Sequence, residues 1–357
     1  MGKWRYLLFA ILPPLFLTGC WDRKDPEDRA FIITLGVDLA EEGCRFTFAP
    51  ANIETGEAET YGAEARTLAE AVAQVDCRSS RKTDLGQLKT IIFSEELLEN
   101  QAQRNALLEE LERSQTVSEK VMLLATEDAA ADCVDAAMAE DSKTGLFLWD
   151  FYKNTAQEVA VTKGMDLDTF LTELQEQGGC GVFPRIRVED EKLRLGGGIA
   201  VSPTGVYSLE EEEERGYLFL LGEAEGALLE GEYMGEMIPL EIGKSKVKYD
   251  FTKQGDGSIL CTVTLPLEGT LQGGGGVFLS EQSQQSMETL FEGIIKEEIQ
   301  HTMRIAELAG EDLFGVLPKL YQSAPQIAAE HSRETLWQAL EFEFRPELKL
   351  KDMGRKR

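Results

Sequence analysis

The sequence predicts an α+β fold with more than one domain, and three observations support this prediction. The chain has 357 residues and a mass of 39.7 kDa, which is room for two domains or three. Hydrophobic residues make up 43% of it, enough for packed cores, so a wholly disordered chain is excluded. Short strand-like runs and amphipathic helical segments are interspersed without strict alternation or segregation. We expect a mixed N-terminal region and a C-terminal domain in which a largely antiparallel sheet packs on one long helix.

The chain begins with the pattern of an export signal. Lys3 and Arg5 provide a positive start, and an uncharged run from Tyr6 to Phe16 follows, interrupted by a double proline. A hydrocarbon core of about 30 Å needs about 20 apolar residues, so this run is too short to span a membrane. We therefore interpret residues 1–19 as a signal peptide.

The signal closes on a lipobox, the bacterial pattern of a branched apolar residue, two small residues and a cysteine. These residues are Leu17, Thr18, Gly19 and Cys20. The pattern predicts that Cys20 carries a diacylglycerol on its thiol and a palmitoyl chain on its amino group. Since each buried methylene contributes about 0.8 kcal/mol, several chains attach durably where one binds marginally. An ordinary cleaved signal with an incidental cysteine, or an uncleaved anchor, remains the alternative.

The composition limits the partners of the mature chain. Asp and Glu number 64 against 36 Lys and Arg, which gives a net charge of −28. Such a surface repels phosphate backbones, so nucleic-acid binding is excluded, and it also repels anionic lipid headgroups. No later stretch approaches 18 uncharged apolar residues. We expect a body held on the extracytoplasmic face of a membrane by its lipid alone.

Short runs and turns predict the N-terminal elements in order. A strand pair, 31–38 and 45–49, is followed by a helix at 67–76 and a strand at 88–93. Ser94 is a helix cap with acidic residues in the turn after it. The remaining predicted elements are a helix at 105–113, a strand at 121–126, helices at 129–138, 146–155 and 166–177, and an exit strand at 183–188.

A charged turn at 189–192 marks the predicted domain boundary. It divides the mature chain into an N-terminal region, residues 20–190, and a C-terminal domain, residues 191–357. The N-terminal region forms one lobe or two. Beyond the boundary, short apolar runs separated by Gly-rich or charged turns predict the antiparallel sheet. The runs are 199–201, 217–221, 227–229, 237–242, 246–252, 259–265, 267–271 and a final strand at 340–344. Helical spacing predicts the long helix at 281–308 and a short helix at 318–322.

The sequence offers no catalytic, metal or cofactor signature. His301 and His331 are 30 positions apart and form neither an HExxH motif nor an i, i+4 pair. We expect the acidic run Glu210–Glu214 to be a solvated loop, because it lacks the alternating ligands of a calcium loop. The glycine runs 196–198 and 273–276 are interpreted as turns, since no Lys-Ser/Thr follows either. A triad assembled from distant residues is the alternative left open.

The cysteines do not suggest a scaffold of disulfides. Six are too few for a chain of this length, and the five that follow Cys20 contain no CxxC pair. We expect most of them to be buried small apolar side chains, with Cys180, which lies between glycines, the most exposed. These five residues are Cys44, Cys77, Cys133, Cys180 and Cys261.

Several blocks, in order along the chain, resemble the Ger(x)C family, the lipoprotein C subunits of endospore germinant receptors. Gly19–Arg23 and Leu35–Asp38 resemble the family's opening. Asp84–Phe93 resembles its next block, with Gln87 where His is common. The later blocks are Gly197–Val201, Gly216–Gly222 and Asp312–Gly315. Ser202 and Pro203 depart from the family, which usually has an aromatic and a basic residue there.

This resemblance implies an α+β ectodomain without known catalytic activity. It would lie on the outer face of the inner spore membrane, beside the two integral-membrane A and B subunits, in a complex that starts germination when nutrients appear. Two other functions compete with this one. They are a lipid-anchored solute-binding protein that serves a transporter, and an extracytoplasmic hydrolase.

Overall fold

The computed structural model describes residues 26–51, 59–141, 145–162, 164–175, 179–272 and 280–351. It contains two sheets with helices packed on them, in two domains, which confirms the predicted fold class. The predicted signal peptide 1–19, its lipobox Leu17, Thr18 and Gly19, and the lipidation site Cys20 lie outside the described residues. Within the described part of the chain, none of the helices combines the length and apolar character needed to cross a membrane.

The first domain is built on a mixed sheet of ten strands. Its strands are β1 (Arg29–Ala40), β2 (Gly43–Pro50), β3 (Tyr61–Ala65), β4 (Lys82–Asp84), β5 (Thr90–Ser94), β6 (Met122–Thr126), β7 (Met165–Asp166), β8 (Gly181–Glu189), β9 (Lys192–Val201) and β10 (Val206–Leu209). The order is β10-β9-β8-β6-β5-β1-β2-β3, with β4 beside β1 and β7 beside β6. The central strands β1, β5, β6 and β8 run parallel.

Helices cover both faces of this sheet. They are α1 (Leu68–Asp76), α2 (Glu95–Glu99), α3 (Gln101–Arg113), α4 (Ala130–Glu140), α5 (Phe147–Asp150) and α6 (Leu167–Gln175). A π turn (Phe151–Thr155) and a 3-10 turn (Ala156–Glu158) continue α5. Helices α1, α2, α3 and α6 share one core with Ile91 of β5, whereas α4 and α5 share another with Ile92. Neighbouring residues of β5 therefore face opposite cores.

Local hydrogen bonds explain where some of these helices begin. Ser94 accepts from the Leu97 N–H at 3.4 Å, which confirms the predicted cap. Asp38, at the end of β1, accepts from the Ala130 and Ala131 N–H groups at 2.6 and 3.2 Å and so fixes the start of α4. An anion in that position also suits the positive end of the helix dipole.

The second domain contains a five-stranded sheet. Its elements, in chain order, are α7 (Glu211–Leu221), β11 (Leu228–Tyr233), β12 (Glu236–Ser245), β13 (Lys248–Lys253), β14 (Ile259–Leu271), α8 (Glu281–Ala309), α9 (Val316–Ser323), α10 (Pro325–Ala328), α11 (Arg333–Leu336) and β15 (Leu340–Leu350). The order is β11-β12-β14-β13, antiparallel, and β15 runs parallel beside β14 from Ile259↔Leu340 to Gly269↔Leu350. Along β14 every second residue is buried, the pattern of a sheet with one open face.

The long helix α8 packs on the inner face of this sheet and confirms the helix predicted at 281–308. It also covers the edge of β15. The Leu348 and Leu350 N–H groups donate to carboxylates of α8, Glu292 and Glu288, each at 2.9 Å. These carboxylates satisfy backbone donors that would otherwise remain open at the sheet edge.

Several predicted elements differ from the structure. The run 199–201, expected in the second sheet, lies in β9 of the first. Residues 217–221, expected to be a strand, are the last part of helix α7, which ends at Gly222 in the left-handed conformation. The aromatic run favours a strand only in isolation, because the acidic residues before it place it inside a helix that starts at Glu211. The runs 259–265 and 267–271 form the single strand β14, and the strands β3, β4, β7 and β10 were not predicted.

The predicted boundary near residue 190 falls at the tip of the hairpin between β8 and β9. Asp190 and Glu191 both have positive φ, 51° and 63°, as a tight two-residue turn between twisted strands requires. The strands on both sides of this turn belong to the ten-stranded sheet. The division of the chain at this point remains a prediction.

Candidate functional site: a charged junction between the two domains

A fully buried arginine lies where the two domains meet. Arg185 lies in β8 opposite Ala125, close to the carboxyl end of the parallel strand β6. Its Nη1 donates to Glu127 Oε1 at 2.7 Å and to Glu210 Oε1 at 2.9 Å, while Nη2 donates to Glu210 Oε2 at 2.7 Å. Glu210 thus binds the guanidinium through both oxygens and ties the start of α7 to the first sheet.

The carboxylates keep this guanidinium charged. Burial alone would lower the pKa of Arg185, but hydrogen bonds and charges of Glu210 and Glu127 raise it above its usual value. In return, the hydrogen bonds from Arg185 hold the pKa of Glu210 below its usual value. Both carboxylates remain partly exposed, so the pair is buried on the arginine side only.

A glycine gives the guanidinium its space. A Cβ atom on Gly197 would lie 2.6 Å from Arg185 Nη2 and 2.8 Å from the Leu209 carbonyl oxygen. The φ of Gly197 is +80°, which other residues rarely adopt. The glycines at 196–198, interpreted from the sequence as a turn, therefore lie within β9 and admit the arginine.

A second buried carboxylate joins the same junction. Glu214 of α7 accepts from the Thr162 N–H at 2.7 Å and from the Gly197 N–H at 2.8 Å. Burial raises its pKa, and these two N–H groups offset part of the rise. The prediction that Glu210–Glu214 is a solvated loop was wrong, because Arg185 and two backbone donors hold its first and last members.

Helices α7 and α8 cross at another glycine. A Cβ on Gly216 would lie 2.0 Å from Thr302 Oγ1 and 2.7 Å from the Glu298 carbonyl oxygen, so the helices approach closely. Arg215 Nη2 donates to Glu298 Oε1 at 2.6 Å beside the crossing. Burial raises the pKa of Glu298, and the hydrogen bond from Arg215 opposes that rise.

The turn that follows α8 contacts the first sheet through a single carboxylate oxygen. Glu311 Oε1 accepts hydroxyl hydrogen bonds from Ser202 at 2.7 Å, Thr204 at 2.6 Å and Tyr207 at 3.0 Å. Ser202 and Thr204 belong to the turn between β9 and β10, so this contact ties that turn to the second domain. It includes one position, Ser202, where the sequence departs from the family pattern.

Buried Asp312 organises the block that follows α8. Its Oδ1 accepts from the Phe314 and Val316 N–H groups at 3.2 and 3.0 Å, and its Oδ2 accepts from the Leu317 N–H at 2.6 Å. The carboxylate therefore caps α9, and burial raises its pKa despite these donors. The Asp312–Gly315 motif thus has a structural role in starting that helix.

The other residues singled out from the sequence do not join this junction. His301 is exposed on α8, and His331 lies in the connection after α10. Cys77 is the exposed cysteine among those described, and Cys180 is only half-buried, so the expectation for Cys180 was wrong. The glycine run 273–276 lies outside the described residues.

The arrangement is suited to holding two domains in register. Across the described ranges, His, Cys, Asp and Glu side chains form no group that could hold a metal ion. A cavity of about 610 Å³ is lined by residues that include Glu158, Glu223, Glu225 and Glu241. Its carboxylates would favour a cation over an anion.

Sequence reasoning missed Arg185 and Glu214. The available signal was a charged residue within the apolar strand around Phe183–Val188, since arginine is rarely buried without a carboxylate partner. The partners of Arg185 are 58 and 25 positions away, so their identity could not be derived from local spacing.

Comparison with known proteins covers both domains. The family described as "Spore germination protein N-terminal domain" matches residues 22–188, and "Spore germination B3/GerAC like, C-terminal" matches residues 198–354. The spore germination protein GerQC of Bacillus cereus is 27% identical over 197 residues, which are 54% of each chain. The match thus spans about half the length of that curated relative.

A solved structure has the same fold. The crystal structure of the GerBC protein superposes with a TM-score of 0.60 over 91% of this chain and 99% of that one. Sequence identity is 16%, so this likeness concerns the fold.

Proposed function

We propose, from the premise that this chain belongs to the GerAC family of spore germination proteins, that it acts as the lipid-anchored C subunit of a germinant receptor. The observation that carries the proposal is the ordered match of both family domains over nearly the whole mature chain. The subunit binds partners and catalyses no reaction. Its site of action is the outer face of the inner spore membrane, beside integral-membrane A and B subunits.

The anchor is the diacylglycerol on Cys20, with residues 1–19 removed. The lipobox Leu17–Cys20 supports this part of the proposal. A tether confines the body to a thin layer at the membrane, where effective concentration replaces strong intrinsic affinity for the membrane partners. The charged junction then keeps both domains in one arrangement while they are held there.

Deleting the gene tests the function. Spores without the protein should lose their response to one class of nutrient, while vegetative growth stays normal. The native gene should restore the response when it is returned. An unchanged response to every nutrient that triggers the parent spores would refute the assignment.

A cysteine exchange tests the anchor. Cys20→Ala should release the protein from the membrane fraction or abolish its export, and Cys77→Ala, at an exposed cysteine outside the lipobox, is the matched control. Mass spectrometry of the native mature N-terminus should find an acylated cysteine. A bare N-terminal residue, or normal membrane fractionation of Cys20→Ala, would count against the anchor.

A further inference from the structure

The start of the described chain and a group of cations share one edge of the first sheet. Arg29, the first residue of β1, lies opposite Lys82 of β4. Lys89 precedes β5, and its N–H donates to the Ile33 carbonyl at 2.9 Å. Since strands rise about 3.3 Å per residue, Lys89 lies about 13 Å along the sheet from Arg29. This is the amino edge of the parallel strands, opposite to the edge that carries Asp38 and Glu127.

Two ammonium groups lie near one tryptophan ring at this edge. Lys89 Nζ is 5.9 Å from the centre of the Trp149 ring, and Lys153 Nζ is 5.6 Å from it. Trp149 is half-buried and Lys153 is exposed. Phe147 and Phe151, also half-buried, lie in the same segment. Aromatic side chains beside lysines are the composition that proteins place at the headgroup level of a bilayer.

Three lysines of this edge, Lys82, Lys89 and Lys153, make no ion pair with any residue of the described ranges, and the same is true of Arg78, four positions before Lys82 in the sequence. Arg78 and Lys82 are exposed. Asp150 is the one acidic residue of the segment 147–155, and Glu27 and Asp28 lie near the chain start. Asp166, opposite Met122 at the start of β6, also lies at this edge, where Lys120 pairs with it. Cations without an ion pair also lie elsewhere in the described ranges, for example Lys246 and Lys248, but at this edge two of them lie near one tryptophan ring.

The proposed anchor would hold this edge towards the lipid. Pro26 is the sixth residue after Cys20, and six extended residues reach at most about 20 Å. A relaxed linker of that length spans less, about 13 Å. The folded body therefore stays within about 20 Å of the bilayer at the point where the chain enters the fold. The edge of the sheet at that point is the part of the body nearest to the bilayer.

We propose that Arg78, Lys82, Lys89, Trp149 and Lys153, the amino-edge patch, bind the headgroups of an anionic phospholipid bilayer. The proposal rests on the proposed function, because it takes the lipid on Cys20 as the tether. The lysines and arginine pair with lipid phosphates, each contributing about fivefold in affinity near a charged surface. Trp149 enters the interface with its ring while its N–H remains in the polar layer. The patch orients an acidic body that would otherwise be repelled.

Lysine labelling of the full lipidated chain tests the patch. The protein is extracted from membranes and reconstituted in phosphatidylcholine vesicles with or without phosphatidylglycerol, then treated with an amine-reactive reagent and analysed by peptide mass spectrometry. Labelling of Lys82, Lys89 and Lys153 should fall several-fold only with phosphatidylglycerol, and high salt should restore it. Exposed Lys248 and Lys349 of the second sheet are internal controls whose labelling should not change.

A charge-removing variant separates lipid binding from incidental shielding. In Lys89→Gln/Lys153→Gln, the phosphatidylglycerol-dependent protection of Lys82 should shrink about tenfold or more. Lys248→Gln/Lys349→Gln, with the same loss of charge, should leave that protection intact. All four side chains reach solvent, so neither variant removes core contacts.

The outcomes distinguish the patch from the anchor. A chain that floats with both vesicle types but shows equal lysine labelling on each refutes the patch and leaves the anchor standing. A chain that floats with neither refutes both. Cys20→Ala that still floats with phosphatidylglycerol vesicles, in a salt-sensitive manner, supports the patch and refutes the lipid as the necessary tether.

Discussion

The two sheets differ in the number of their faces that helices cover. The first is covered by helices on both faces, so consecutive residues of β5 and β6 are buried. The second is covered on one face, so residues of β14 alternate between buried and partly exposed. A sheet with two covered faces has a continuous apolar sequence, and one with a single cover has an alternating sequence. The first sheet therefore tolerates a charge such as Arg185 only where carboxylates meet it.

The largest expected effect tests this contrast directly. Ile91→Ala and Ile92→Ala should each lower the free energy of unfolding by about 3 kcal/mol, because each removes a buried side chain from a different core. In β14, Val263→Ala should cost about 2 kcal/mol, whereas Thr264→Ala should change stability by less than about 0.5 kcal/mol. Urea unfolding of the purified variants measures these changes in the free energy of unfolding. A neutral Ile92→Ala would mean that the second face of the first sheet is not tightly packed.

The next prediction concerns the single helical cover of the second sheet. Gly216→Ala should cost about 2 kcal/mol or more, because the new methyl group meets Thr302 and the α8 backbone. Gly293→Ala is the matched control on α8. Apart from its chain neighbours and the backbone of α8 itself, no atom lies within 4 Å of its Cβ position, so the substitution should stabilise the chain by about 0.5–1 kcal/mol. The midpoint temperature of unfolding should fall for Gly216→Ala and rise for Gly293→Ala. Equal shifts in the two variants would contradict the close approach of α7 and α8 at Gly216.

The buried ion pair provides a smaller effect. Arg185→Met should destabilise the chain by about 2 kcal/mol, since it leaves Glu127 and Glu210 without their cation. Arg45→Met removes a pair of similar geometry, Arg45 Nη2 to Glu64 Oε1 at 2.6 Å, but both side chains are more than half exposed. Its cost should stay below about 1 kcal/mol. Comparable losses in the two variants would show that burial does not govern the strength of these pairs.

The smallest effect is a pH dependence with opposite signs at two glutamates. Burial raises the pKa of Glu214 above its usual 4.5, so the folded state binds its proton more tightly than the unfolded state. The stability that this proton provides is present below pH 4.5 and is lost as pH rises through the raised pKa. The stability of the native chain relative to Glu214→Gln should therefore fall as pH rises from 4.5.

Glu210 provides the control with the reverse sign. Arg185 lowers its pKa below the usual 4.5, so its contribution is present above pH 4.5 and is lost as pH falls through the lowered pKa. The stability of the native chain relative to Glu210→Gln should rise with pH over the acid range. Free energies of unfolding measured across that range decide both signs. The same sign at both residues would contradict the assigned environments.

Sequence reasoning recovered elements whose signal is local. The apolar runs of β5 and β6, the cap at Ser94 and the helical spacing of α8 each lie within one segment. Helix α7 was mistaken for a strand at Tyr217–Leu221, because its helical start depends on acidic residues held by groups elsewhere in the fold. β3 was missed because its small and acidic residues carry little strand signal.

The junction itself could not be predicted from the sequence. Arg185 meets Glu127 only through the parallel register of β6 and β8, and Glu311 meets Ser202 only once α8 returns to the first sheet. Such contacts depend on topology, which local composition does not encode. The lipobox, in contrast, can be recognised from the sequence alone, because its pattern consists of four consecutive residues. Chemical analysis of the mature N-terminus tests that prediction.

The parallel pairing of β14 with β15 determines when the second domain can be completed. Ile259 lies opposite Leu340, so two strands joined along eleven residue pairs are 81 positions apart in the chain. A chain that is synthesised from its amino end must expose β14 without this neighbour until the residues of β15 have followed. Closing so long a loop is slow and costly in entropy, so the nascent chain would need protection from proteases or chaperone help during that interval.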